Sequence, residues 1–316
     1  MGRIELKTAE ELRFMREAGL VVAGIHEKLR EAVRPGVITA ELDAVSSDAI
    51  AAAGAASNFL GYYDYPATVC VSVNDVVVHG IPGGYRLRAG DLVSFDCGAW
   101  LTRRGRQWHG DAAFSVVVSD PWIDDAAFAA GERAAAEPAG GGQDPESAAL
   151  RRRRELDAVT RECLWAALAA LATGRRVSAV GAAVEDVVAA RARELGWEAG
   201  IIEEYTGHGI GTKMHMEPEV LNFNARGRSP RLKKGMVLAV EPMLVSGGIA
   251  TRTEDDGWTV RTEDGGDAAH WESTRSRSPK GACACSPPAT AERRGWPPTA
   301  WRPSASTDAG PAPDRM

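Results

Sequence analysis

Near the amino terminus, apolar residues recur at helical spacing: Leu12, Met15, Ala18, Gly19, Val22, Ile25 and Leu29 fall on one face. Thr8, with Glu11 three residues on, makes a capping box ahead of them, and Arg34-Pro-Gly36 stops the run. Thr39 is placed to cap a second helix that ends near Gly54. After an aromatic loop from Asn58 to Pro66, Ala67 to Val73 and Val76 to His79 read as strands around an Asn74-Asp75 turn. Leu92 to Trp100 and Gln107 to Val118 read as two more, joined by a polar, arginine-rich turn. Helical spacing returns from Glu155 to Leu171, and again from Ser178, its expected cap, to about Gly196. A glycine-rich segment, Tyr205 to Gly211, then leads to an apolar strand ending at Glu241 and to a turn and strand over Asp256 to Thr262.

Between Asp120 and Arg154 the pattern lapses. Gly131 to Pro145 is low in complexity and rich in turn residues, so about 121–154 is expected to be a flexible surface insertion. Its basic run, Arg151 to Arg154, reads chiefly as a solvated face, with a transient ribosome contact as the lesser reading. No apolar run approaches the roughly 20 residues of a membrane span, and the first residues lack a signal-peptide core. With 316 residues, 44% of them hydrophobic, the chain has ample material for a core. A net charge of −6 argues against specific nucleic-acid binding by bulk electrostatics. Cys70, Cys97, Cys163, Cys283 and Cys285 show no disulfide or zinc spacing, which points to a reduced, cytoplasmic protein.

Two half-domains repeat. Each has a helix, a glycine break, a second helix, a glycine (Gly54 or Gly196) and then His-Gly-Ile, at His79 to Ile81 and His208 to Ile210. Each next has Leu-x-x-Gly before an apolar strand that ends in a carboxylate, Leu87 to Asp96 and Leu232 to Glu241, at equal spacing. Halves packed about a pseudo-two-fold axis would bring Asp96 and Glu241 face to face, with His79 and His208 nearby. Asp96 and Asp111 also stand in otherwise apolar strands. Buried carboxylates must be paired, hydrogen-bonded or metal-bound, although either aspartate alone could simply close a strand end.

These residues carry a resemblance. The ordered set is Cys70-Val-Ser-Val-Asn74 with His79-Gly-Ile-Pro82, Phe95-Asp96, His109-Gly-Asp111, Gly207-His-Gly-Ile-Gly211, Val240-Glu-Pro242 and Trp271-Glu272. It makes the chain resemble the type I methionine aminopeptidases of the creatinase/aminopeptidase family from about Ile4 to Glu272. The resemblance implies an α+β pita-bread fold: a curved antiparallel sheet backed by two pairs of helices, with internal pseudo-two-fold symmetry. Residues 1–272 would form one catalytic domain of this kind. It implies a hydrolase that removes the initiator methionine from nascent chains when the second residue is small. Two divalent ions (Co, Mn, Fe or Zn) would activate a bridging hydroxide.

By resemblance the metal ligands are Asp96, Asp111, His208, Glu241 and Glu272, with Asp111 and Glu272 bridging. Glu241 is also the expected proton shuttle, and His79 and His215 are expected to hold the scissile amide. Phe59, Tyr62, Tyr65, Cys70, Met214 and Trp258 match the methionine pocket, whose aromatic and sulfur lining suits a thioether. His26 and His270 are expected to be structural, and His109 to support Asp111. The expected partners are nascent polypeptide N-termini, without membrane or second subunit. A proline-specific peptidase of the same fold is the alternative, and a third is a chain that kept the fold and lost the chemistry.

Past Glu272 the resemblance ends. The family continues with His-Thr and an apolar strand, whereas Ser273 to Lys280 is polar, and 273–316 is expected to be a disordered tail. The tail is read as the product of a frameshift. Codons for Glu272 to Lys280 can be chosen so that removing two nucleotides after the first yields Glu-His-Thr-Val-Ala-Val-Thr-Glu. On that reading Glu272 keeps its place but loses its anchoring strand, and metal binding suffers. Sequencing the gene across these codons is the test: a second frame that spells the apolar strand is expected, and codons unable to yield it exclude the frameshift.

Overall fold

The computed structural model describes residues 4–119, 145–278 and 281–284. Helix α1 (Ala9–Ala32) buries the predicted stripe, from Met15 through Leu29, and Thr8 and Glu11 close the reciprocal capping box. Helix α2 (Thr39–Ala52) starts differently from expectation. Thr39 is its first residue rather than its cap, because its hydroxyl is held by the backbone of Gly83, donating to the carbonyl and accepting from the N–H. The second pair is α3 (Pro145–Thr173) and α4 (Ala179–Leu195). Ser178 stands at the cap position of α4 but makes no side-chain cap bond.

The strands of the first half are β1 (Ala56–Ser57), β2 (Val69–Val73), β3 (Val76–Val78), β4 (Leu92–Arg103) and β5 (Arg106–Val117). In the second half β6 (Gly200–Ile201), β7 (Gly207–Gly209), β8 (Met216–Val220), β9 (Val237–Val240) and β10 (Met243–Val245) come first. They are followed by β11 (Thr251–Thr253), β12 (Val260–Thr262), β13 (Ala268–His270), β14 (Ser273–Ser278) and β15 (Gly281–Ala284). The hairpin of β4 and β5 is flanked by β2 and β1, and the other main sheet runs β15-β14-β9-β7-β8, all antiparallel. The two sheets are stitched at the centre. Ala113 and Glu272 exchange backbone hydrogen bonds of 3.3 and 3.0 Å, and His109 N–H donates to Gly211 at 3.0 Å. Helix α1 lies against β5 at close range: a Cβ on Gly110 would stand 2.8 Å from the backbone of Ala18. This is the pita-bread arrangement.

The repeat holds for the carboxylate strands and fails for the histidines. Asp96 lies opposite Ala113 and Gly98 opposite Asp111 on the β4–β5 hairpin. In the second half Met243, two residues beyond Glu241, lies opposite His270. Glu241 thus answers to Asp96, Glu272 to Ala113, and His270 to Asp111. His79 and His208 are not equivalent, however. His79 leaves the end of β3, whereas His208 lies within β7, the neighbour of β9. A three-residue match does not fix register; pairing does.

Two expectations are corrected. Residues 145–154 of the supposed insertion belong to α3, while 120–144 lie outside the described residues. The arginine run is divided, Arg151 being exposed and Arg152 and Arg153 half-buried, and each has a partner. Arg151 pairs with Glu155 at 3.6 Å, Arg152 lies 4.1 Å over the ring of Trp197, and Arg153 pairs with Asp267 at 3.0 Å. The disorder expected from Ser273 is also wrong for Ser273–Ser278, which forms β14 against β9. Main-chain partners on β9 are indifferent to side-chain polarity. Residues 285–316 lie outside the described residues.

Arg275 on this strand is 4% exposed, with its guanidinium 5.9 Å from the ring centre of Trp165 on α3. Removing one member of a buried charged network commonly costs about 3–5 kcal/mol. Arg275→Val is therefore expected to lower the melting temperature by several degrees. Thermal and urea melts check this, and a higher midpoint contradicts it.

Candidate metal centre and adjoining apolar pocket

Residues directly opposite on antiparallel strands share a face. Asp96 on β4 and Asp111 on β5 therefore look the same way, and the Ala113–Glu272 stitch sets Glu272 beside them. Strand β7 brings His208, and the end of β9 brings Glu241. Ligand atoms of Asp111, His208 and Glu272 lie within 4.8 Å of one another. Glu241 Oε1 is 3.5 Å from His208 Nε2. His208 Nδ1 donates to its neighbour's carbonyl at 3.0 Å, which leaves the Nε2 lone pair directed into the cluster.

The electrostatics of this cluster are one-sided. Burial and mutual repulsion raise Asp111, Glu241 and Glu272 well above the ordinary carboxylate range, and burial raises Asp96 to about 7. Burial lowers His208 to about 3. Buried oxygens of Asp96, Asp111 and Glu272 have no hydrogen-bond partner. Among the described residues, no arginine or lysine is seen in an ion pair with any of the four acids; Glu241 is paired with His208 and His270. Acidic oxygens without donors, with one free imidazole nitrogen, are the donor set of a divalent transition ion. These residues fit such an ion.

Further imidazoles edge the cluster. His215 packs 4.3 Å from His208 between ring centres, and its Nδ1 is bonded to the Tyr62 hydroxyl at 3.0 Å. Burial lowers His215 as well. His79 sits at φ 60°, a strained conformation for a non-glycine residue. It is lowered to about 4 by burial and then by His215. The turn that holds it is tight, since a Cβ on Gly80 would come within 2.4 Å of Val71 O. His109 Nδ1 is held by Asn58 Oδ1 at 2.8 Å, and the Asn58 amide donates to Gly110 O at 3.0 Å.

Beside this lies an apolar cluster of Phe59, Tyr65, Ala67, Cys70 and Met214, edged by Tyr62, Ile81 and Trp258. Cys70 stands opposite Asp96 on the paired strand. Tyr65 donates to Gly80 O at 3.0 Å and meets Trp258 edge-on at 5.1 Å, and His79 meets the same tryptophan at 5.8 Å. The pocket wall thus abuts the histidine that borders the acids. Ala67 and Ile81 were not anticipated from sequence, nor was the closeness of His270 to Glu241, 4.0 Å from Nε2 to Oε2. Asn58 had a legible cue only in its neighbour Phe59.

Acids and an imidazole converging beside an apolar pocket, on this fold, define a metallopeptidase. Residues 13–272 match metallopeptidase family M24, and the chain belongs to that family. A methionine aminopeptidase 1 from Mycobacterium tuberculosis is 42% identical over 269 residues, covering 85% of this chain and 89% of that one. The crystal structure of a methionine aminopeptidase from Thermotoga maritima matches with TM-score 0.74 at 30% identity, over 90% of this chain and all (100%) of the other. A prolidase from Pyrococcus furiosus shares the fold at 18% identity and TM-score 0.58, with 65% of its length covered.

The raised carboxyls set a pH dependence. A group whose folded pKa lies above its unfolded value contributes stability that is full below the unfolded pKa. That stability is lost as pH rises through the folded pKa, about 7 for Asp96. The buried histidines act in the opposite sense up to their ordinary value of 6.5, so metal-free protein is expected to lose stability as pH rises above roughly 6.5. Added Mn²⁺ should restore more stability at the upper end, because binding displaces the shared protons. Urea melts in chelator and in Mn²⁺ across this range test it; stability that climbs with pH in chelator contradicts it.

Proposed function

We propose that the chain removes the N-terminal methionine from polypeptides whose second residue is small, as a metalloaminopeptidase. One observation carries this reading: Asp111, Glu272 and the Nε2 of His208 converge, with Glu241 beside them, next to an apolar cluster of aromatic rings, Cys70 and Met214. Asp96, Asp111, His208, Glu241 and Glu272 would hold two divalent ions, of Co, Mn, Fe or Zn. Such ions supply Lewis acidity and a water of lowered pKa.

The remaining work falls to the chain. The pocket takes the methionine side chain, and its thioether gains from aromatic and sulfur neighbours. Tyr65 and Trp258 are braced edge-on against each other at 5.1 Å, which would limit the space for the substrate side chain. His79 and His215 border the acids and are neutral at pH 7, so each can donate a hydrogen bond to the scissile amide without adding a charge. Glu241 borders the same centre, where it would take up a proton and pass it to the departing amine. Nascent chains are the natural source of such N-termini.

The proline-specific alternative has less support. The prolidase likeness is one of fold, and this chain spans only 65% of that relative. Methionine release from Met-Ala-Ser in Mn²⁺, Fe²⁺ or Co²⁺, absent in chelator and on Gly-Pro substrates, is the expected result. Asp111→Asn and Glu241→Gln should each lower kcat by at least about 100-fold. Release of proline dipeptides in preference, or activity that survives both substitutions, overturns the proposal.

A further inference from the structure

We propose that His270 is a positioning residue for Glu241: its Nε2–H holds the Oε2 oxygen, so that Oε1 stays turned toward His208 and the other ligands. The inference rests on the reading of Glu241 as ligand and proton carrier. Three observations support it. His270 is 2% exposed, and its Nε2 has no hydrogen-bond partner, yet lies 4.0 Å from Glu241 Oε2. On the opposite side Glu241 Oε1 is 3.5 Å from His208 Nε2. The carboxylate therefore lies between two imidazoles, one offering a lone pair to the centre and the other behind it. An ionised carboxylate only accepts, so the ring nitrogen that faces Oε2 is the one to carry hydrogen.

The second observation is how firmly this ring is set. Ser94 and Ser115, paired across β4 and β5 and joined at 2.7 Å, both reach the His270 backbone. Its N–H donates to Ser115 Oγ at 2.9 Å and Ser94 Oγ at 3.2 Å, and its carbonyl accepts from Ser115 at 2.9 Å. Two buried hydroxyls thus fix the residue that stands behind Glu241. The third is register. His270 stands in the second half where Asp111 stands in the first, so its side chain projects toward the shared centre. A histidine that merely packs finds a protein partner, as His26 does when its Nε2 bonds Ala112 O at 3.0 Å. His270 has the burial of such a residue without the partner.

The test uses three variants of the full chain. In His270→Gln the amide nitrogen reaches about as far as the imidazole Nε2. In His270→Asn it falls short, and His270→Leu has no donor. Mn²⁺ affinity is read by calorimetry, kcat and KM on Met-Ala-Ser, and folding by thermal melts. The Leu and Asn variants should lose about 10–100-fold in Mn²⁺ affinity and kcat, with KM nearly unchanged, while Gln recovers most of both. If the Leu variant does not fold, Asn against Gln decides, since both keep a polar group in the site. Equal impairment of Gln and Asn overturns the proposal, as does wild-type Mn²⁺ binding and turnover in Asn or Leu. Wild-type protein that binds Mn²⁺ but releases no methionine sinks the functional reading, while the affinities of the variants still decide His270.

Discussion

Four carboxylates, gathered where two sheets meet, with no lysine or arginine among the described residues paired to them, are the constraint on which this molecule depends. Their repulsion is not an accident of one loop. Asp96 and Asp111 are fixed by the register of one hairpin, Glu241 by the end of β9, and Glu272 by two backbone bonds to Ala113. The backbones that carry Asp96, Asp111 and Glu272 cannot separate without breaking main-chain pairing. The cost is met by proton sharing or by cations, so folding and metal binding draw on one free energy.

The polar groups behind the acids show how such a cluster is kept in place. Asn58 fills the space above Gly98, where a Cβ would come within 2.5 Å of its amide, and it orients both His109 and Gly110. Thr274 donates to the carbonyl of Asp111 at 2.8 Å. Ser94 and Ser115 clamp His270. These groups act on backbone or on ring nitrogens and leave the carboxylate oxygens free, as a metal centre requires.

Much of this was legible in the sequence, for identifiable reasons. The α1 stripe has the helical period, and Thr8 with Glu11 is a local signal, so both were readable. The carboxylates were conspicuous because each interrupts an apolar run, and the six pocket residues came through family resemblance. What stayed hidden depends on pairing. The role of Thr39 is decided by Gly83, distant in sequence, and the nearness of His270 to Glu241 by the offset of β10 against β13. Likewise, the His-Gly-Ile match suggested an equivalence that β7 and β3 do not have.

The strand after Glu272 shows where local composition misleads. Ser273 to Ser278 has too little apolar character to form a strand alone, yet β9 offers an edge of N–H and C=O groups that any sequence without proline can take up. Glu272 therefore keeps an anchor of main-chain bonds, reinforced by Thr274. What an apolar sequence would add here is packing on the helical side, where Arg275 now meets Trp165. The two faces of this strand consequently separate two effects. The side toward Asp111 bears on the metal centre, and the side toward α3 bears on stability, so a change on one face should leave the other's property largely intact.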